Sequence, residues 1–281
     1  MRSYVMITGA AGGLGKAFSA ECASRGWRLF LTDVSEQSLY LLARGMERMY
    51  DVDVLYFPCD LTDPSSRDAL WKHVSTMGLR FHFLVNVAGT DFEGPFLERN
   101  TEELRTIVRL NIESTIETTR RILPLRDRTR VLRIINVSSL ASYYPMPVKA
   151  TYAASKRFLL DFSLALCQEL HPSEATVTAL CPAGMPTNRD CIRSIEGQGI
   201  MGRLTTTNVG DVAARTIDYA LAGRSVYIPG ALNRTLRALG SMVPASTVAR
   251  MIFRRWQEVR RKTSQSTRPA ALPTETQFIR G

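Results

Sequence analysis

A doubly wound α/β fold, with a parallel sheet of about seven strands and helices on both faces, is what this 281-residue sequence predicts. Short apolar runs of strand length alternate with longer segments of helical period, the pattern of a parallel sheet covered on both sides. A glycine-rich turn follows the first run directly, and several of the segments between runs open on readable helix caps.

In chain order the expected strands are Tyr4–Thr8, Arg28–Thr32, Val54–Phe57, Phe81–Val85, Val131–Val137, Thr176–Leu180 and Ser225–Ile228. Asp63 before Pro64 reads as one helix N-cap, and Asn100 with Glu103 three residues on reads as a second. About six βα units in series result. Right-handed crossovers wind such units into one sheet whose ligands sit beyond the carboxyl ends of the strands. The length suits one large domain, residues 1–231, and would leave two full domains small. After it comes a Leu/Arg-rich stretch, Leu232–Leu239, and then a helix over Ala245–Lys262. Residues 232–262 thus form a basic amphipathic helical extension, with Val248, Met251, Ile252, Trp256 and Val259 on one side. The Ser/Thr/Pro/Gln-rich residues 263–281 read as a disordered tail.

Composition narrows the class. At 45% hydrophobic and 22% charged residues the chain is globular in character. The first residues meet Gly9 too early for a signal-peptide core, and no run reaches membrane-spanning length, so a cytoplasmic protein is expected. Five cysteines without a C-x-x-C pair suggest buried thiols, and the three scattered histidines offer no metal spacing; no metal is expected. The net charge of +10 is concentrated: Leu232–Gly281 holds ten Arg/Lys and two acidic residues. The body of the fold is nearly neutral, so no nucleic-acid partner is expected.

The turn after the first strand reads Thr8-Gly9-Ala10-Ala11-Gly12-Gly13-Leu14-Gly15 and runs into a helical segment. Its glycines let the backbone turn tightly and approach a pyrophosphate, whose charge is favoured at a helix N-terminus. Gly9, Gly12, Gly13, Leu14 and Gly15 are therefore candidate cofactor residues of a Rossmann-type site. Asp33 ends the second strand about twenty residues on, where a carboxylate can accept from ribose hydroxyls and would repel a 2′-phosphate. NAD is thus expected over NADP. Asp33 can also be read as a turn or helix-cap residue before Ser35, and Arg25 or Lys16 would have to reach a 2′-phosphate for NADP to be preferred.

Tyr152-Ala153-Ala154-Ser155-Lys156 opens a helix, so Tyr152 and Lys156 project from one face a turn apart. A neighbouring ammonium favours the phenolate, as a general acid/base working near neutral pH requires. Ser139 lies thirteen residues before Tyr152, at a strand end where its hydroxyl can meet a substrate oxygen.

With these motifs the chain resembles the short-chain dehydrogenase/reductase family over about residues 3–230. The resemblance rests on Thr8-Gly9-x-x-x-Gly13-x-Gly15, Asp60 after the third strand, Asn86-Val87-Ala88-Gly89 after the fourth, and Pro182 to Thr187. It implies a catalytic tetrad of Asn111, Ser139, Tyr152 and Lys156 for interconverting a secondary alcohol and a ketone. Tyr152 would exchange the hydroxyl proton, and Ser139 would orient the carbonyl oxygen. Lys156 would also hold the nicotinamide ribose, and Asn111 would keep a helix distorted around an ordered water. Asp60, Asn86 and Gly89 would line the adenine and ribose side, Thr187 would contact the nicotinamide carboxamide and phosphate, and Leu61, Ala88 and Pro182 would also touch the cofactor. Val87 and Ala183 depart from the family pattern, where a second Asn and a Gly are usual. The resemblance also implies a homodimer or homotetramer.

Loops around the expected nicotinamide end offer Tyr143, Tyr144, Pro145, Met146, Pro147 and Met185, and a Gly-containing stretch over Asn188–Thr206, with Ile192, Ile195, Ile200 and Met201, resembles a lid. This lining suits a lipophilic, hydroxysteroid-like alcohol or ketone, or else packs the lid on the core. The amphipathic C-terminal helix fits peripheral contact with an anionic membrane, or docking on its own domain or a sister subunit. The alternatives are an NADP(H)-preferring ketone reductase and a dinucleotide-sensing protein without turnover; the complete tetrad argues against the latter.

Overall fold

The computed structural model describes residues 2–185, 207–240 and 242–266, with backbone only from 259 onward. Seven parallel strands lie in the order β3-β2-β1-β4-β5-β6-β7. They are β1 Ser3–Thr8, β2 Arg28–Asp33, β3 Val54–Pro58, β4 Arg80–Asn86, β5 Leu132–Val137, β6 Ala175–Leu180 and β7 Val226–Tyr227, each within a few residues of its expected position. The short β7 is an edge strand, paired through two residues only.

The helices are α1 Gly13–Ser24, α2 Glu36–Tyr50, α3 Pro64–Thr76, α4 Thr101–Ile107, α5 Ser114–Ile122, α6 Ala150–Glu169, α7 Val209–Leu221, α8 Ala231–Gly240 and α9 Ala245–Ser266. Both expected caps form. Asp63 accepts from the Ser65 and Ser66 N–H groups, and Asn100 makes the reciprocal capping box with Glu103. Alternate strand residues divide the core into two layers. Phe18, Leu31, Leu39, Val85 and Ile217 pack on the side of α1, α2 and α7. Met6, Phe30, Leu70, Leu84 and Ile122 pack on the side of α3 and α5. Arg67 of α3 crosses the latter layer almost fully buried, binding Glu113, Glu117 and the Leu61 carbonyl.

The chain winds outward from β1 to β3, then returns to the other side of β1 at β4. Loops leaving β1 and β4 therefore diverge and open a crevice at the carboxyl edge of the sheet.

The C-terminal extension is helical in two pieces, α8 and α9, the first covering the Leu/Arg-rich stretch Leu232–Leu239, and α9 runs four residues into the stretch expected to be disordered. Residues 267–281 lie outside the described residues. On α9, Val248, Ile252 and Trp256 are half-buried while Met251 is 63% exposed, so the expected apolar side does not face the protein as one stripe. Among the described residues no helix is long and apolar enough to cross a membrane.

Candidate active site

The crevice begins at the glycine loop. Gly9 turns with φ of 64°, and a Cβ there would come 2.8 Å from the Ala88 backbone. A Cβ on Gly15 would lie 2.1 Å from the Gly9 carbonyl oxygen, so α1 begins directly against the preceding turn. The α1 N-cap is Gly12, with no side chain to occupy the first N–H groups of the helix. That is a cradle for an anion of pyrophosphate size, formed by backbone alone. Gly13 opens the helix, whereas the Leu14 side chain is buried in the core and can offer the site only its backbone.

Asp33 does two structural things at once. Its Oδ2 accepts the Ala11 N–H of the glycine loop at 3.0 Å, and its Oδ1 accepts the Ser35 N–H at 3.2 Å. Each oxygen retains a second lone pair for a hydroxyl. Ser35, not Asp33, is the N-cap of α2. Val34 beside it is 69% exposed. Arg25 is held by Glu21 and Asp218 at 2.7 and 2.8 Å, while Lys16 is exposed on α1.

The other expected cofactor residues also hold the fold together at this edge of the sheet. Asp60 is exposed, with Oδ1 accepting both the N–H and hydroxyl of Thr62. The Leu61 side chain is buried, and its carbonyl is bound by Arg67. Asn86 turns its amide nitrogen into the sheet, to Asn136 at 2.8 Å and Thr119 at 3.2 Å, and so braces β4 against β5. The Ala88 and Val87 N–H groups share the hydroxyl of buried Thr8, which knits the ends of β4 and β1 together. Pro182 accepts the Leu140 N–H through its carbonyl at 2.7 Å, which seats the residues after Ser139 on the end of β6. Thr187 and the expected lid, Asn188–Thr206, lie outside the described residues.

Asn111, Tyr152 and Lys156 lie together, and Ser139 follows the strand end that Lys156 binds. Between α4 and α5 the backbone makes a π-helical turn, Val108–Glu113, that contains Asn111. Such insertions occur frequently at functional sites. Asn111 is fully buried: it accepts the Thr90 N–H at 2.9 Å and donates to the Thr90 carbonyl at 3.1 Å and to Ser155 at 2.9 Å. It therefore links the loop after β4 to α6. Lys156 is 4% exposed and donates to the Val137 carbonyl at 2.9 Å. Gly89 faces both; a Cβ there would stand 3.1 Å from Asn111 Oδ1 and 3.2 Å from Lys156 Nζ. The Lys156 ammonium is 5.7 Å from the Tyr152 ring centre. Burial pulls the Lys156 pKa down to about 8, against the opposing pull of Asp91 and Cys181.

Ser138, adjacent to Ser139, donates to the Lys156 carbonyl at 2.6 Å, fixing the strand end against the helix. Ser139 Oγ accepts the Ala141 N–H at 3.1 Å as cap of a short 3₁₀ turn, Leu140–Tyr143, and its own hydroxyl proton remains to be donated.

The first turn of α6 holds side chains that motif reading did not single out. Its N-cap, Lys149, pairs with Asp91 and Glu93. Before it, Val148 has φ of 64°, a left-handed conformation that costs a β-branched residue on the order of 1–3 kcal/mol. A small cavity here is lined by Phe92, Phe96, Arg99, Leu104 and Tyr152 among others. The alternating polar and aromatic loop after β4 was the available cue. Of the expected lipophilic lining, Met185 is buried in the core, and Tyr144 donates from its hydroxyl to the Leu236 carbonyl of α8. Tyr143 and Tyr144 line a 390 Å³ groove with Arg157, Leu164 and Arg237, on the α8 side of α6. That groove contains none of the tetrad and is set apart from the chemistry.

A doubly wound sheet with a side-chain-free anion cradle at its switch point and a Tyr–Lys pair beside it defines a dinucleotide-binding α/β protein. The chain belongs to the short chain dehydrogenase family, whose model matches residues 3–192. A very-long-chain 3-oxoacyl-CoA reductase of Neurospora crassa is 33% identical over 171 residues, 60% of this chain and 52% of that protein. The 17-beta-hydroxysteroid dehydrogenase type 3 of Homo sapiens is 31% identical over 192 residues, 66% of this chain and 60% of that protein. The chain thus spans little more than half the length of these curated relatives. A short-chain dehydrogenase from Sphingobium yanoikuyae, solved in complex with NADPH, matches at TM-score 0.72 and 24% identity over 97% of this chain and 99% of that one. At that identity the likeness is one of fold.

Proposed function

We propose that this chain is an NAD(H)-dependent oxidoreductase that interconverts a lipophilic secondary alcohol and its ketone. The observation that carries the reading is the gathering of Asn111, Tyr152 and Lys156 beside the end of β5, which Ser139 follows, near the loop on which the glycine cradle rests. A bound nicotinamide dinucleotide would supply the site with a hydride acceptor or donor. The cradle fits its pyrophosphate, and Asp33 fits an adenosine ribose with a bare 2′-hydroxyl better than one bearing a phosphate.

The residues divide the remaining work. Tyr152 passes a proton to or from the substrate oxygen. Ser139, with Oγ fixed by the Ala141 N–H, donates to the same oxygen and orients it. Lys156 places positive charge beside the phenol, which favours the proton-deficient form during alcohol oxidation. Asn111 holds the loop and helix that carry these groups.

The substrate class rests on the relatives: a hydroxysteroid-like ketone and a long-chain 3-oxoacyl thioester are the two candidates their names suggest. The test is a panel of both, with small sugars and diols as controls, each assayed with NAD(H) and NADP(H) by nicotinamide absorbance. Turnover with NAD(H) that falls about 10²- to 10⁴-fold in Tyr152→Phe is expected, the usual contribution of a general acid/base. Superior turnover of the small polar controls would sink the lipophilic reading, and a higher kcat/KM with NADP(H) would reverse the cofactor preference.

A further inference from the structure

The loop after β4 and the start of α6 are tied together at three points. Asn111 holds Thr90 by both its N–H and its carbonyl. The Gly94 N–H donates to the Val148 carbonyl at 2.8 Å. Between these ties, Lys149 Nζ sits 2.6 Å from Asp91 Oδ2 and 2.9 Å from Glu93 Oε2. The Lys149 ammonium also stands 5.8 Å from the Tyr152 ring centre, as near as Lys156 on the following turn.

Tyr152 is therefore flanked by two ammonium groups in unlike settings. Lys156 is buried and bound to a neutral carbonyl. Lys149 is 22% exposed and paired with two carboxylates, so its cluster carries one net negative charge. Burial disfavours the Lys149 charge, yet Asp91 and Glu93 outweigh burial and hold its pKa above the ordinary range. Among the described residues, the other charged or titratable groups around this end include Arg99, which lines the small cavity with Tyr152 and pairs with Glu103, and Cys181, which faces Lys156 from the end of β6.

We infer that Lys149, Asp91 and Glu93 form a charge clamp on the loop–helix junction, in which Lys149 and Asp91 are positioning residues that act on Tyr152 with opposite sign. The inference rests on Tyr152 being the proton-transfer residue. Lys149 favours the phenolate, and Asp91 opposes it. Losing Lys149 leaves two unbalanced carboxylates beside the phenol. Losing Asp91 leaves Lys149 held by Glu93 as a neutral pair. A loop–helix tie that is only structural would respond to both losses alike.

The experiment is a near-ultraviolet difference titration of tyrosinate in the full chain, with Tyr152→Phe subtracted to isolate Tyr152. It is run on wild type, Lys149→Met, Asp91→Asn and Lys149→Arg. The Tyr152 midpoint is expected to move to higher pH by about one unit in Lys149→Met, and to lower pH by a similar amount in Asp91→Asn. A shift of that order is what a unit charge close to the phenol produces in a partly solvated site. Lys149→Arg restores the wild-type midpoint. Shifts of the same sign in the first two variants, or no shift in Asp91→Asn, would overturn the clamp. If Lys149→Met does not fold, Asp91→Asn alone decides, because it keeps the Glu93 pair. The titration needs no substrate, so absence of turnover in wild type counts against the proposed function and leaves the clamp to be judged on the midpoints.

Discussion

The glycine loop after β1 and the junction of the β4 loop with α6 border the same crevice and are made by opposite means. The first is formed by leaving side chains out: Gly9 packs on Ala88, Gly15 packs on the Gly9 carbonyl, and Gly12 leaves the helix end uncapped. The second is crowded with them, since Asn111, Ser138, Lys149, Tyr152 and Lys156 each engage a partner within a few residues of α6 or its neighbours. A large anionic ligand needs backbone N–H groups and room. Proton transfer needs a few polar groups fixed in a dry place.

The contrast can be broken where it is sharpest. Gly15→Ala would force a methyl group to within 2.1 Å of a backbone oxygen that no rotamer change can move, so a loss of about 3 kcal/mol or more in denaturant unfolding is expected. A wild-type midpoint for that variant would show that the loop tolerates side chains. On the crowded side, Asn111→Ala removes three hydrogen bonds of a buried side chain and should cost about 2–3 kcal/mol, at roughly 1 kcal/mol each. A loss well under 1 kcal/mol would mean that the π-helical turn stands without its asparagine.

The third change runs the other way. The folded chain holds the Lys156 pKa at about 8, below its ordinary 10.5, so between these values the unfolded chain binds the extra proton and wild-type stability rises with pH. Below pH 8 the folded protein bears the full cost of a buried ammonium. Lys156→Met should then unfold at a higher temperature than wild type at pH 7, by a margin that narrows from pH 8 to 10.5. A pH-independent difference would refute that account. As the smallest effect, Asn100→Ala, which touches neither region, should cost about 1 kcal/mol through its cap alone, measured by the same unfolding assay.

Backbone-built features were readable in the sequence because glycines, caps and apolar runs act locally. All seven strands, the Asp63 and Asn100 caps and the glycine turn depend on neighbours a few residues away. The tetrad could be picked out by family likeness, but the π-helical turn around Asn111 has no periodic signature of its own. Lys149 and Asp91 lie 58 residues apart and meet only through the sheet order, so nothing in either segment announces the pair. At Val148 the sequence points the wrong way, since a glycine would be the cue for φ of 64°. The buried side chains of Leu61 and Met185, and the hydrogen bonds of Asn86 to Asn136 and Thr119, likewise depend on partners that no local pattern names.

The order of strands also governs when the cradle can exist during synthesis. Gly9 rests on Ala88, and Thr8 accepts the Val87 and Ala88 N–H groups, so the loop encoded within the first fifteen residues finds its floor only once β4 has emerged and docked. A nascent chain halted before β4 would carry the whole glycine sequence without that floor. Pairing of β1 with β4 spans nearly eighty residues, a non-local contact of the kind that slows folding. Ligand binding by the nascent chain should therefore appear late and abruptly.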